Sequence, residues 1–483
     1  MSSTKPSTTS GDPVTIVWLR KDLRLADNHA LTAAASRGRV LPVFIFDDVF
    51  DQSLGAAARL RLMLSLQSLL RDLADAGAPL ILRRGDALTV LRDLAHEAGA
   101  DAVMWTRLTD GPSLERDKAV KAALTDDGLT ATSFGGSTLV DPWTVKTGSG
   151  GQFKVYTPFW RNVSARDIER PLPRPATLHG VGDIATDTLA NWRLDAPMGP
   201  AADALASQIV AGEAAAHDRL AAFVDGAAAR YGDDRDQMGL KDATSGLSDY
   251  LAVGEISPRT VYWALLTGGD TAGHEAARKQ VVWRDFAHHL LFHDPAMEHR
   301  CWRQEWEDFD WRGENEAAAK WKAGRTGVAI VDAAMRELWV TGRMHNRARM
   351  IVASLLTKNL LVDWRVGEAW FRHTLIDWDP ANNAMGWQWV AGCGPDAAPF
   401  FRVFNPDTQA EKFDKSKAYR SYWLNTGEGA KKFRATWPKT DVTLALESPP
   451  LMVDLGTTRK AALTAWDDMK RRRDEQTPIE ETA

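Results

Sequence analysis

Up to about residue 140 short β-branched runs alternate with helical periods, and from about residue 201 onward the strand signal is gone. Thr15 to Leu19, Val40 to Phe46, Pro79 to Arg83 and Asp101 to Trp105 are apolar runs of strand length, and Leu129 to Phe134 is a weaker fifth. Between the second and third, Ala56 to Ala76 puts Leu60, Met63, Leu64, Leu66, Leu69, Leu70 and Leu73 mostly on one helical face. Strands alternating with helices predict a doubly wound parallel sheet, whereas Gly212 to Ala228 and Val328 to Leu338 carry only helical periodicity. The expected fold class is therefore α/β plus all-α. A disordered tail at 1–13 precedes a Rossmann-like domain at 14–140, a Gly/Pro-rich connector at 141–200, an all-helical domain at 201–470 and a charged, frayed tail at 471–483.

Several function classes lack their machinery. The first strand runs into Arg20-Lys21-Asp22-Leu23-Arg24 where a dinucleotide-binding turn needs glycines, and neither a nucleophile elbow nor a Walker lysine motif is present. With only Cys301 and Cys393, no disulfide framework or four-cysteine zinc site can be built, which fits a reducing, cytoplasmic setting. No apolar run approaches the roughly 20 residues that span a bilayer, so no membrane partner is expected. The net charge of −5 does not announce a nucleic-acid binder, yet Met335 to Arg372 holds seven Lys/Arg against three Asp/Glu, a local +4. The chain has 20 Trp and six Tyr, and 15 of the Trp lie from Trp263 onward, so the helical half has a use for indoles.

Four segments concentrate chemistry. Tyr231 and Arg235 precede Thr244-Ser245-Gly246-Leu247-Ser248, where hydroxyls and backbone N–H groups at a helix start suit a phosphate or an ordinary N-cap. Gln280, Trp283, Arg284 and Ala287 share a helix face, combining an amide, a stacking platform and a guanidinium. His289 and His293 stand at i, i+4 nearby, but Leu290 occupies the position of the zincin glutamate, so packing or capping histidines are expected rather than a metal site. In Thr341 to Met350, Asn346 and Met350 face one way from a basic helix that suits phosphates or plain solvation. Asp377-Trp-Asp379 starts like a calcium loop, but Asn382 and Gln388 stand where glycine and glutamate are required. What remains there is a polar loop beside paired indoles, suited to gripping a polar heterocycle.

Taken together these segments resemble the photolyase/cryptochrome family, specifically its class I cyclobutane pyrimidine dimer photolyases. The resemblance rests on Trp18 to Leu31, Phe153 to Trp160, Gly327 to Arg336, Met344-His-Asn-Arg-Ala-Arg-Met350, Asp377 to Trp389, Asp396 to Pro406 and Gln409 to Asp414, in that order along nearly the whole chain. It implies FAD in the helical domain, with Tyr231, Thr244, Ser245, Gly246, Leu247 and Ser248 around its phosphates and ribityl chain. Arg284, Asn346, Arg349, Asp377 and Asp379 would bind the rest, with Asn383 facing the flavin N5 and an Arg349 to Asp377 ion pair beside the ring. Trp387, Trp364 and Trp311 match an electron-transfer triad.

The same resemblance implies light-driven repair of pyrimidine dimers, with the lesion flipped out of damaged DNA into a pocket. Trp283 and Trp389 would stack on it, Gln280, Asn346, Arg347 and Met350 would contact it, and Arg235 and Gln409 would meet the DNA backbone. Gln280 stands where many class I members carry Glu, and Arg343 where a Trp is usual, which leaves a cryptochrome-like photoreceptor with weak or no repair as the alternative. The sheet domain would hold an antenna pigment, but folate ligands are not found around Pro112 and Ser113, which favours a deazaflavin over methenyltetrahydrofolate, or no pigment. The protein is expected to act as a cytoplasmic monomer.

Overall fold

The computed structural model describes residues 11–396, 402–438 and 449–476. Most of the tail expected at 1–13, the last seven residues, and 397–401 of the Asp396 to Pro406 motif lie outside the described residues. The amino-terminal half contains a five-stranded, all-parallel sheet of β1 (Val14–Leu19), β2 (Arg39–Phe46), β3 (Ile81–Arg84), β4 (Ala102–Thr106) and β5 (Thr130–Phe134), in the order β3-β2-β1-β4-β5. All five expected strands form. β3 begins two residues after the expected Pro79, a residue with no N–H to give to a ladder.

β1 is buried along its whole length because helices cover both faces of the sheet. Val17 and Leu19 join a core with Phe44, Leu66, Leu69 and Leu73 on one side. Ile16 and Trp18 join Val43, Leu91, Leu94 and Val120 on the other. The expected helix at 56–76 forms as Ala56–Asp75.

The connector is more ordered than its Gly/Pro content suggests. It holds a helix, Tyr156–Ser164, and returns to the sheet, where Trp192 stacks on Phe46 with ring centroids 5.6 Å apart. Beyond it the chain is helical, and the helices Ala272–His293, Ala329–Thr341, Asn346–Ser354, Trp364–Thr374 and Pro380–Ala391 surround a central cavity. The final helix, Leu455–Gln476, corrects the frayed tail expected from 471: Arg471 pairs with Asp468 one turn back, and Arg472 reaches Asp310 at 2.6 Å. Among the described residues no helix is long and apolar enough to cross a membrane.

The two halves meet through buried charge. Arg61, on the Ala56–Asp75 helix, is completely buried and bonds to both Glu255 and Asp249 of the helical half. Gly254 lies beside it with φ +77°, and a Cβ there would run into the Lys21 carbonyl, so only glycine lets the two backbones touch. Replacing Arg61 with Met would leave two buried carboxylates short of a cation. Arg61→Met is expected to cost about 3–5 kcal/mol in urea unfolding.

Candidate functional site

The cavity has a volume of about 1190 Å³, above the usual range for a small-molecule site. Its floor is built by the Pro380–Ala391 helix. Asp379 caps that helix, accepting the Asn382 N–H at 2.8 Å, and the Asn383 amide donates to the Asp379 carbonyl at 3.0 Å. Burial alone would raise the Asp379 pKa, but His288, with Nε2 3.2 Å away, holds its carboxyl well below the usual range. Arg349 donates to Asp377 at 2.7 Å, and the other Asp377 oxygen is buried without a partner among the described residues. The cavity floor therefore offers an unused acceptor to a ligand's N–H or O–H.

The walls bring in the other segments. Gln280, Trp283 and Arg284 enter from the long helix, and Trp283 is seated by a stacked Tyr156, 3.6 Å between centroids. Arg284 donates to the Ser137 carbonyl at 2.8 Å, which ties the cavity to the sheet domain. Asn346, Arg347 and Met350 come from the Asn346–Ser354 helix, which His345 caps through Nδ1. Arg347 is paired with Asp236 at 2.6 Å and lies over Phe413. Tyr231, Arg235 and Thr244 to Ser248 close the far side. There Leu247 takes the N-cap position without a side-chain bond, the Ser245 hydroxyl accepts the Leu247 N–H at 3.4 Å, and Arg219 binds the Thr244 and Ser245 carbonyls.

Exposure is graded across this lining. Asp377, Asp379, Asn383 and Trp387 are buried, whereas Trp283, Arg347, Met350 and Trp389 are half-buried and Asn346 is exposed. Gln409 sits on the Pro406–Phe413 helix outside the cavity wall. Of the three tryptophans expected to form a triad, Trp387 lines the cavity and Trp364 and Trp311 do not. Gly367, on the helix that begins at Trp364, packs directly on the Trp387 ring. An isolated bridge between Arg312 and Val362 lays the Trp311 segment beside the Trp364 segment, and Trp311 is the partly exposed member. Of the i, i+4 histidines, His289 accepts the Phe153 N–H and sits 3.2 Å from the Pro142 carbonyl.

Some lining residues carried no sequence signal of their own. Glu337 is a core-facing position of an amphipathic helix, yet it is a carboxyl that accepts the Tyr419 hydroxyl at 2.5 Å. Burial pushes it up to about 7 against that bond. Arg343 was visible only as an oddity; it spans Asp249 at 2.8 Å and the Gln208 carbonyl at 3.0 Å.

Comparison with known proteins agrees over most of the chain. Residues 15–176 match the DNA photolyase family and residues 277–468 the FAD binding domain of DNA photolyase. A deoxyribodipyrimidine photo-lyase of Agrobacterium fabrum is 44% identical over 94% of this chain and 98% of its own length. The crystal structure of a bacterial class III photolyase from Agrobacterium tumefaciens superposes with a TM-score of 0.87 at 42% identity, covering 97% of this chain and 100% of that one. A cryptochrome of Synechocystis sp. PCC6803 superposes with a TM-score of 0.79 at 25% identity, over 95% and 100%.

Glu337 generates a pH prediction. The folded carboxyl keeps its proton up to about pH 7, while an unfolded one releases it near its ordinary 4.5, so the native state binds more protons in between and stability falls as pH rises through that window. Glu337→Gln keeps an acceptor for Tyr419 and removes the slope. Urea unfolding of the variant should gain on wild type by ~1–3 kcal/mol between those two pH values.

Proposed function

The chain belongs to the DNA photolyase/cryptochrome family, and from that premise we propose that it repairs cyclobutane pyrimidine dimers in DNA by light-driven electron transfer, with FAD held in the central cavity. The observation that carries the reading is the shared cavity: every residue matched to the flavin, and every residue matched to the lesion or DNA except Gln409, lines one continuous space, with Asp377, Asp379 and Asn383 buried at its floor. Its size and the unused Asp377 oxygen fit a large polar cofactor. The finer placement we favour is class III, the designation of the Agrobacterium structure, in place of the class I expected from the motifs; likeness across the whole chain supports it.

Within this reading Asp377, Asp379, Arg284, Arg349, Asn346 and Asn383 hold the flavin, and Tyr231 with Thr244, Ser245, Gly246, Leu247 and Ser248 hold its phosphates and ribityl chain. Bound FAD would supply the chemistry, since a reduced flavin excited by light is an electron donor strong enough to open a cyclobutane ring. The protein's work is positional. Trp283, braced by Tyr156, and Trp389 offer flat apolar surfaces to a flipped-out dimer. Gln280, Asn346, Arg347 and Met350 meet its edges, and Arg235 with Gln409 stands toward the DNA backbone. Arg349 beside Asp377 keeps opposite charges paired at the cavity floor.

The alternative, a photoreceptor with little repair, draws on Gln280 alone, because Arg343 already has a role in the Asp249 ion pair. Gln280 spends one amide hydrogen on the Ala276 carbonyl at 3.3 Å, so its remaining groups face the lesion side as a neutral partner.

Illuminating the reduced protein with dimer-containing DNA and following the return of thymine absorbance tests repair directly, and no recovery overturns the reading. Gln280→Glu restores a proton-bearing group and should raise the repair rate several-fold with dark DNA binding little changed. Trp387→Phe should suppress photoreduction while leaving DNA binding intact; unchanged photoreduction would refute its place in the relay.

A further inference from the structure

A cavity that is to receive part of a polyanion has a carboxylate in its wall, beside the arginine expected to meet the lesion. Arg347 Nη2 donates to Asp236 at 2.6 Å, and the two side chains are 17% and 29% exposed. The guanidinium also lies 4.4 Å from the centroid of the Phe413 ring, which stands outside the lining. The Met238 N–H donates to the Phe413 carbonyl at 2.8 Å, so the Asp236 segment and the ring are joined two residues further on. Of the other acidic residues in that segment, Asp234 pairs with Arg230 at 3.1 Å and Asp233 is exposed.

The rest of the guanidinium is poorly spent. Nη1 reaches the Met350 sulfur at 3.6 Å, a weak acceptor, and the Nε atom is buried with no partner among the described residues. A cationic N–H hidden from water without an acceptor is costly, so these donors await one. A free arginine in this wall would attract the phosphates of any DNA, and that attraction carries no information about damage. Paired with Asp236 it is a dipole rather than a charge, of which a duplex backbone senses little across the roughly 10 Å that salt leaves unscreened at 0.1 M. The single N–H groups act only on an acceptor within hydrogen-bond reach, and a base comes that close only when it is flipped out of the duplex.

We propose that Asp236 is a positioning residue that makes Arg347 read the flipped lesion instead of the DNA backbone, and so separates dimer-containing from undamaged DNA; this rests on the lesion contact assigned to Arg347 above. Specificity is a difference of two affinities, and here it is gained by withholding a phosphate contact from undamaged DNA. Asp236 holds one donor, the Phe413 ring supports the guanidinium, and Nε and Nη1 are left for the carbonyl oxygens at the edge of a dimer. Gln409 lies one turn before Phe413 on the same helix, which puts the proposed backbone contact and the support of Arg347 on one rigid element.

The FAD-loaded protein is titrated in the dark with fluorescent duplexes that do or do not carry one thymine dimer, over a range of salt, and the ratio of the two Kd values is read. Asp236→Asn keeps an oxygen for Nη2 but uncovers the charge. Undamaged DNA should then bind roughly five- to tenfold tighter near 0.1 M salt, with a salt slope steeper by about one. Dimer-containing DNA should gain less than about twofold, because the added attraction is offset by a looser Arg347, so the ratio falls. Asp236→Glu should keep the slope and most of the ratio. Phe413→Leu leaves both charges in place and should lower the ratio with the slope unchanged, which also decides the matter if Asp236→Asn does not fold. In an Arg347→Gln background, adding Asp236→Asn should lower the ratio no further. Equal gains or equal losses for the two DNAs in Asp236→Asn, or an unchanged ratio in Phe413→Leu, would overturn the proposal. A wild-type protein with no preference for dimer-containing DNA would instead count against the repair reading itself.

Discussion

Arg61 carries a full charge into a site with no access to water, and the joint between the two halves of the molecule is organised around neutralising it. Glu255 and Asp249 supply the countercharge, Ser65 takes one of its donors at 2.6 Å, and Glu255 also accepts the Gly212 N–H at 2.7 Å. Such a cluster is weak evidence for stability, since desolvation offsets most of the attraction, but it is demanding about geometry because no member can leave alone. The same is true along the loop after β1. Glu213 binds the Leu25 and Ala26 N–H groups, Asp27 accepts Ser257 and Arg259, and Arg24, its pKa lowered by burial, spreads its donors over the carbonyls of Asp27, Gly136 and Gly254. Asp249 is shared with Arg343, which stands in the cavity wall. The register of the two halves therefore sets one side of the site.

A second link reaches the opposite side. His288 sits 2.7 Å from the Thr109 hydroxyl through Nδ1, just past the carboxyl end of β4, and 3.2 Å from Asp379 through Nε2. Asp379 caps the helix that presents Asn383, and its carbonyl takes the Asn383 amide. The orientation of the side chain proposed to face the flavin thus depends, through three contacts, on a strand of the other half. The sheet domain lacks a dinucleotide turn of its own, yet it shapes the cofactor site by acting on the residues that hold the cap.

The strand-helix alternation was legible because it is a local pattern: each strand is buried on both faces and reads as a continuous apolar run. The cavity segments were legible because their polar residues have no packing reason to sit among indoles. What stayed hidden is what depends on contacts distant in sequence. Arg61 reads as a surface arginine on an amphipathic helix until Glu255, far along the chain, is placed on it. Tyr156 lies in a segment whose Gly/Pro-rich flanks suggest a plain connector, and only its stacking on Trp283 makes it a support of the site. Arg343 reads as a departure from a family pattern, whereas the partner that explains it, Asp249, lies one residue past the Thr244 to Ser248 segment and carries no signal of its own.

The Trp excess divides by what each indole N–H does. Trp378 donates to the Ser53 carbonyl across the joint, Trp263 to the Ile168 and Glu169 carbonyls, and Trp321 to Val352, so these serve as polar-tipped packing. The three tryptophans proposed as a relay form a different series. Trp387, at the cavity, has a buried N–H with no partner among the described residues; Trp364 gives its N–H to sulfur, a weak acceptor; Trp311 gives its own to the Trp306 carbonyl at 3.2 Å and is partly exposed. An oxidised indole is stabilised by whatever accepts its proton or hydrates its charge. Nothing does so at Trp387, a little does at Trp364, and most does at Trp311. In the proposed relay the positive charge is thus drawn outward by solvation alone, with no need for indoles of different kinds.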